Sequence, residues 1–408
     1  MQAPRWALTG LACGMTPPLL LGFGCPPGLA LLGAVGAGAL CVRAGAGSAL
    51  LLVLSGLASL GLYAASLRAS GLDEAIYYRP HERYATWDAR HGHRAYQPYV
   101  SVRRHVPHGD LQALTREAIA EPREVVFRTD GDGFRNDADY AGEPWLVIGD
   151  SFVAGNGTSQ DALLHVRLAQ RGVAAYNLGF PGGISDYESY WRAFVRRHGA
   201  RPRVLLFLFE GNDFPERVGR GEKAPWLAAL DRHVRDATSA FRALPTWRVT
   251  RSLAARASAL GAIRSGAEVE VHPLAGTRLA LYVPYLRHTR QPALVDMAGF
   301  DATFARLAPE LHAVFLIPTK YRVYQPWLAP GEPPPHASWR HLAGLCEAHG
   351  LPCFDLTPAL QRRAEALLAE GRFAWWRDDT HWNGDGIEAA AEAVAEALAA
   401  LGAAGVRA

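Results

Sequence analysis

The chain has 408 residues, 49% of them hydrophobic, and a formal net charge of +3 at pH 7. That length holds one large domain with accessory segments, and the near-neutral balance leaves no electrostatic footprint for nucleic acid. Among its five cysteines there is no C-x-x-C pair, so zinc-ribbon and thioredoxin-type chemistry have no support.

Residues 1–70 read as a membrane anchor. Between Arg5 and Arg68 the only charged residue is Arg43, and about 20 mostly apolar residues suffice to cross a bilayer. The stretch runs well past the apolar core of a signal peptide. Pro17-Pro18 and Gly24-Cys25-Pro26-Pro27-Gly28 interrupt it, as does Arg43 among its glycines. These breaks predict three spans, at 6–23, 28–42 and 47–67, or two spans if the Pro-rich break is a kink. Three spans place Arg5 and Arg43 in the cytoplasm and the rest of the chain outside, as the positive-inside tendency prefers. Arg68, Arg79 and Arg83 pull the other way.

Residues 71–143 form a polar, aromatic lead-in. Glu124-Val125-Val126-Phe127-Arg128-Thr129 alternates like a strand and runs into the turn Asp130-Gly131-Asp132-Gly133 and then Phe134-Arg135-Asn136. The lead-in histidines, His81, His91, His93, His105 and His108, are irregularly spaced and read as surface or hydrogen-bonding groups. From residue 144 the pattern changes. Strands are expected at 145–148, 173–178, 203–209, 312–317 and 352–356, with helices near 159–171, 184–199 and 336–349 between them. Apolar runs separated by helices indicate a parallel sheet covered on both faces. A long interruption at 214–310 is helical in its first part, 224–264, and extended around 278–283. A final helix starts after Asn383, with Ile387, Ala391, Val394, Leu398 and Leu401 on one stripe. The expected fold class is therefore α/β, a three-layer α/β/α sandwich on a mainly parallel five-stranded sheet. The domain boundaries are 1–70 for the anchor, 71–143 for the lead-in and 144–408 for the sheet domain with its insertion.

Four short motifs fall at strand ends or helix entrances, where open α/β sheets gather ligands. Gly149-Asp150-Ser151 closes the first strand; a helix N-cap is the plain alternative. Asn177-Leu178-Gly179-Phe180-Pro181-Gly182-Gly183 follows the second, with glycines that bare the backbone N–H. Gly211-Asn212-Asp213 closes the third and offers an amide donor, or only a turn. Asp378-Asp379-Thr380-His381-Trp382-Asn383 precedes the final helix and supplies a histidine beside carboxylates, the pairing a general base needs.

In this order the motifs resemble the SGNH (GDSL) hydrolase superfamily over roughly 144–401, with Ser151, Gly182, Asn212 and His381 matching its four marker residues. Phe134-Arg135-Asn136, Pro318-Thr319-Lys320-Tyr321-Arg322-Val323-Tyr324 and the Asp-Thr-His-Trp-Asn ending are similar to the membrane-linked alginate O-acetyltransferase group. The resemblance implies Ser151 as nucleophile and His381 as base. The backbone of Ser151 and Gly182 and the side chain of Asn212 would form the oxyanion hole. Many SGNH enzymes place the orienting aspartate at the position of Asp378; the acetyltransferase-like group uses that of Asp379, which is favoured here. No cofactor and no metal is expected. Transfer or hydrolysis of short acyl (acetyl) esters, on an acylated small molecule or a polysaccharide, follows from the resemblance. So does a bacterial inner-membrane location with the catalytic domain periplasmic or extracytoplasmic. A non-catalytic envelope protein that binds glycan or partner proteins is the alternative. A flavodoxin-like nucleotide or flavin binder has only Gly155-Asn156-Gly157 in its favour. Seven aromatics fall near the expected functional edge: Tyr187, Trp191, Tyr321, Tyr324, Trp375, Trp376 and Trp382. They can stack on sugars or fill core. Cys346 and Cys353, at a helix end and a strand start, are placed to form a disulfide or to remain two buried thiols.

Overall fold

The computed structural model describes residues 79–88, 93–214, 268–292, 294 and 297–405. The expected membrane spans at 1–70, the expected helical stretch at 224–264 and His91 lie outside the described residues. Among the described residues no helix is long and apolar enough to cross a membrane.

The lead-in begins with a single helical turn, α1 (Pro80–Arg83). Two antiparallel ribbons follow, β1 (Ala85–Asp88) with β2 (His93–Tyr96), and β3 (Ser101–Val106) with β4 (Arg123–Arg128). In β4, Arg123, Val125 and Phe127 are buried while Glu124 and Arg128 are exposed, the period-two alternation of a half-buried strand. β1 is half-exposed throughout and β3 buries only its last residue, so neither carries a clean sequence pattern.

The central elements follow in the order β5 (Trp145–Ile148), α2 (Leu164–Ala169), β6 (Ala175–Asn177), α3 (Ile184–His198) and β7 (Arg203–Phe209). A hairpin of β8 (Val269–Leu274) and β9 (Thr277–Tyr282) leads into α4 (Val283–Arg290) and α5 (Ala298–Leu307). Then come β10 (Leu311–Ile317), α6 (Lys320–Leu328), α7 (Ala337–Ala348), β11 (Cys353–Asp355), α8 (Thr357–Ala369) and α9 (Gly384–Gly405). Five strands form one parallel sheet in the order β11-β10-β7-β5-β6. The fold class is thus α/β. All these elements lie within one compact unit, Arg79–Trp226 with Ser265–Ala408.

Burial explains the continuous apolar strands. Leu205, Phe207 and Phe209 of β7 join Ala313, Phe315 and Ile317 of β10 in one core cluster, together with Leu164, Leu360, Ile387 and Val394 from helices. The alternate residues Leu206, Leu208, Val314 and Leu316 are equally buried, so these two central strands are covered on both faces. Phe207, Phe315 and Phe354 are in-register partners, and their rings stack at centroid distances of 5.0 and 5.2 Å. Each such pair adds about 1 kcal/mol beyond its burial. On α9, Ile387, Ala391 and Val394 are buried, and Leu398 and Leu401 pack against the same core. Cys346 and Cys353 are joined by a disulfide, with Cα atoms 6.1 Å apart, tying the end of α7 to the start of β11.

The chain runs from β5 outward to β6 and then returns past β5 to place β7 on its other side. The crevice between β5 and β7 is therefore the switch point where an open α/β sheet receives ligands. Ser151 follows β5 and Asn212 follows β7.

Candidate active site

Ser151 opens the turn that leaves β5. Asp150 shapes it: its side chain accepts the Phe152 N–H at 2.8 Å, and its carbonyl accepts the Ala154 N–H at 3.0 Å. The turn is also gripped from the lead-in. The buried Arg135 guanidinium donates to the carbonyls of Gly155 at 2.6 Å and Thr158 at 3.1 Å. It also donates to the Val126 carbonyl at 3.1 Å and lies over the Phe127 ring. Next to it, Asn136 donates to Asn177 O at 3.0 Å and accepts the Asn177 N–H at 2.9 Å. The Phe134-Arg135-Asn136 motif is therefore a clasp between the lead-in, the turn after β5 and the end of β6.

His381 reaches this turn from the loop before α9. Its Nε2 lies 2.8 Å from Ser151 Oγ, and its Nδ1 lies 2.7 Å from Asp379 Oδ1. Both distances are within hydrogen-bond reach for a nucleophile, a base and its orienting acid. Asp378 does not face His381. Its Oδ2 accepts the Gly109 N–H at 2.7 Å and the Glu121 N–H at 2.8 Å, and its Oδ1 accepts from Arg123 at 3.1 Å. Of the two candidate aspartates, Asp379 is the one in the chain of hydrogen bonds and Asp378 fixes the loop.

Charge placement suits a base in this position. Burial disfavours the imidazolium, but the hydrogen bond and charge of Asp379, with Asp110 and Asp150 behind it, lift the His381 pKa above its ordinary value. Burial likewise works against the Asp379 carboxylate. His381, Arg123 and Arg79 outweigh it and hold Asp379 well below the usual range. The Asp150 carboxyl is pushed up to about 6 by burial, opposed by hydrogen bonds from Phe152 and from the Asn212 side chain.

The three expected oxyanion donors occupy different settings. Gly182 sits just ahead of α3. A Cβ there would lie 2.7 Å from Asp186 Oδ2 and 2.8 Å from Asp186 Cβ. Asp186 in turn accepts the Gly183 N–H at 3.0 Å, so only glycine fits this approach. Gly182 O accepts from Tyr187 OH at 3.1 Å; the same hydroxyl reaches Asp213 Oδ1 at 2.6 Å. Asp213 Oδ2 accepts the Phe209 N–H at 2.7 Å, so Asp213 ties the end of β7 to α3. Asn212 is exposed beside it, its side chain hydrogen-bonded to Asp150.

Sequence reasoning missed several residues around the histidine loop. Arg123, at the start of β4, is buried with Nη2 2.7 Å from Asp379 Oδ2 and lies 4.3 Å over the Trp376 ring. Asp110 accepts both the N–H and the hydroxyl of Thr380. Glu121 accepts the Arg377 N–H at 2.7 Å. β9 joins in through the Ala280 N–H, which donates to Arg377 O at 3.0 Å. Nothing local in Gly109-Asp110 or in a strand-initial arginine marks these roles; they arise between segments more than 200 residues apart. Asp110, Asp379 and His381 bring potential ligand atoms within 4.8 Å of one another. Asp379 and His381 are bonded to each other and Asp110 to Thr380.

The second motif, Pro318 to Tyr324, braces the same region. Arg322 forms a buried ion pair with Glu210, whose carboxylate also accepts the Thr319 N–H at 3.1 Å. Lys320 Nζ donates to Ala280 O at 2.8 Å; burial draws its pKa down to about 8. Tyr324 OH accepts the Ala374 N–H at 2.7 Å. Of the seven edge aromatics, Tyr187, Trp191, Tyr321, Tyr324, Trp375 and Trp382 are buried in the core. Trp376 alone is half-buried.

Residues 292–407 match the family model described as SGNH hydrolase-like domain, acetyltransferase AlgX. The match includes the Asp378–Asn383 loop and supports the AlgX-like SGNH resemblance, and with it an acyl-esterase or acetyltransferase type of family. Ser151, Gly182 and Asn212 lie ahead of the matched residues. No curated protein and no solved structure matches the chain.

Proposed function

We propose that this chain is an SGNH-type serine esterase or O-acyltransferase acting on short acyl esters, with Ser151 as nucleophile, His381 as base and Asp379 as its orienting acid. The observation that carries the reading is the unbroken series Ser151 Oγ, His381, Asp379, with links of 2.8 and 2.7 Å. His381 takes the Ser151 proton at Nε2 while Asp379 holds the proton on Nδ1. Ser151 Oγ attacks the ester carbonyl, and the backbone N–H groups of Ser151 and Gly182 with the Asn212 amide receive the oxyanion. Losing one such donor costs on the order of 3 kcal/mol of transition-state stabilisation. His381 then protonates the leaving alcohol, and an acyl-Ser151 enzyme remains. Attack by water completes an esterase cycle; attack by a sugar hydroxyl completes a transferase cycle.

The acetyl ester of an extracytoplasmic polysaccharide is the substrate class this reading favours. The AlgX-type family match supports it, as does the Cys346–Cys353 disulfide, which suits an oxidising compartment. The burial of six edge aromatics limits the stacking argument to Trp376. On p-nitrophenyl esters of increasing chain length, acetyl should be turned over faster than octanoyl, with Ser151→Ala as control. A Ser151-dependent optimum at eight or more carbons would mean a deep acyl channel and a lipase instead.

The sequence of residues 1–70 supports an anchor with the catalytic domain outside the cytoplasm. Alkaline phosphatase fused after residue 75 should be active, because that enzyme needs an oxidising compartment. Activity of a cytoplasm-only reporter at the same junction would reverse the orientation.

A further inference from the structure

We infer that Asp110 is a positioning residue for His381, a second carboxylate that acts on the imidazole through the Thr380 hydroxyl. The inference rests on the hydrolase reading above and adds to it a residue from the lead-in, outside the four motifs and outside the matched family region.

The backbone on both sides of Asp110 is anchored to the histidine loop. Gly109 N–H donates to Asp378 Oδ2 at 2.7 Å, and Leu111 N–H donates to Asp378 O at 3.0 Å. The approach is so close that a Cβ on Gly109 would lie 2.4 Å from Asp378 O and 2.6 Å from Asp379 Cβ. Asp110 is thereby fixed, and each oxygen has its own partner. Oδ1 accepts the Thr380 N–H at 2.8 Å, and Oδ2 accepts the Thr380 hydroxyl at 2.6 Å. Thr380 Oγ1 in turn lies 3.3 Å from His381 Nδ1.

The first of these bonds, from the Thr380 N–H, holds the loop. The second has a chemical consequence. Thr380 has one hydroxyl proton, and an ionised Asp110 takes it as a hydrogen bond. The Thr380 lone pairs are then free to accept from Nδ1–H, alongside Asp379 Oδ1 at 2.7 Å. Both branches favour the tautomer with its proton on Nδ1, which leaves Nε2 to receive the Ser151 proton. Both also stabilise the imidazolium once it forms. If Asp110 were protonated, it would donate to Thr380 instead, and the hydroxyl proton would no longer be held away from His381 Nδ1.

The groups facing this pair come from several elements. Asp379, Arg79, Tyr282, Tyr285 and Lys320 act on Asp110; Asp379, Asp150 and His81 act on His381 besides Asp110 itself. Burial, with the Asp379 charge, pushes Asp110 up to about 6. The Asp110 charge is among the causes that raise His381. Removing that charge must therefore lower the His381 pKa.

The test uses the full-length chain with histidine-selective 13C labelling, the His381 ring signal assigned by its loss in His381→Gln. In Asp110→Asn the side chain can still accept the Thr380 N–H, so the loop is kept and the charge is lost. The His381 pKa should fall by about half a unit or more. Fluorophosphonate labelling of Ser151 at neutral pH should slow about ten-fold. Thr380→Val keeps the Asp110 charge and breaks the relay; it should slow labelling with a smaller pKa change. An unchanged His381 pKa in Asp110→Asn, or an unchanged labelling rate in Thr380→Val, overturns the inference. The NMR titration needs no activity, so wild-type protein that titrates normally but never labels would instead refute the hydrolase reading.

Discussion

Ser151→Ala should lower ester hydrolysis at least about 1,000-fold and abolish fluorophosphonate labelling, while the melting temperature stays near that of the wild type. The two effects separate because of what the side chain touches. Its Oγ lies 2.8 Å from His381 Nε2 and 3.5 Å from Asp150 Oδ2, and the turn around it is held by other groups, chiefly Asp150 and Arg135. Alanine removes the nucleophile and leaves that turn in place. Residual activity would come from the oxyanion donors acting on water. A variant that keeps more than a tenth of wild-type hydrolysis would sink the catalytic assignment, and the glycan-binding alternative would then gain, since binding needs no nucleophile.

The second large effect is expected at Arg123. Its guanidinium bridges two buried carboxylates, Asp378 Oδ1 at 3.1 Å and Asp379 Oδ2 at 2.7 Å, with all three side chains at most 4% exposed. In Arg123→Met two anions lose their shared cation, and breaking such a pair costs about 3–5 kcal/mol. Asp378 keeps two backbone donors, so Asp379 is the more exposed to the loss. The sign of the pH dependence follows. The folded-state pKa of Asp379 is depressed, so its contribution to stability is present above the unfolded value of about 3.9 and is lost as pH falls toward the folded value. Without Arg123 the folded pKa rises and that contribution shrinks. The stability gap between wild type and variant should therefore be full at pH 7 and narrow below about pH 4. Activity should fall as well, since Asp379 would hold His381 less firmly. Adding Asp378→Asn should recover part of the stability without restoring activity. Equal melting temperatures for wild type and Arg123→Met at pH 7 would show that the bridge contributes nothing.

The sequence by itself determined the α/β order and the places where chemistry gathers. Strands such as Arg203–Phe209 and Leu311–Ile317 announce themselves because a strand buried on both faces has few polar positions, and the stripe Ile387, Ala391, Val394 marks α9 by its period. Gly149-Asp150-Ser151, Gly182, Gly211-Asn212-Asp213 and Asp378-Asp379-Thr380-His381 are legible because sharp turns at strand ends restrict residue type locally. What only the tertiary structure decided is the division of labour between neighbouring residues and distant segments. Asp378 and Asp379 are adjacent and chemically identical, and Arg123 binds both; the Gly109 and Glu121 amides make one a brace and leave the other facing His381. Asp110, Arg123 and Arg135 act across the fold through hydrogen bonds whose partners no local pattern encodes. Hydrophobic periodicity is a property of one segment and can be read from it. A hydrogen bond between a lead-in side chain and a loop some 270 residues later belongs to the folded arrangement, and it exists only once the sheet has brought the two together.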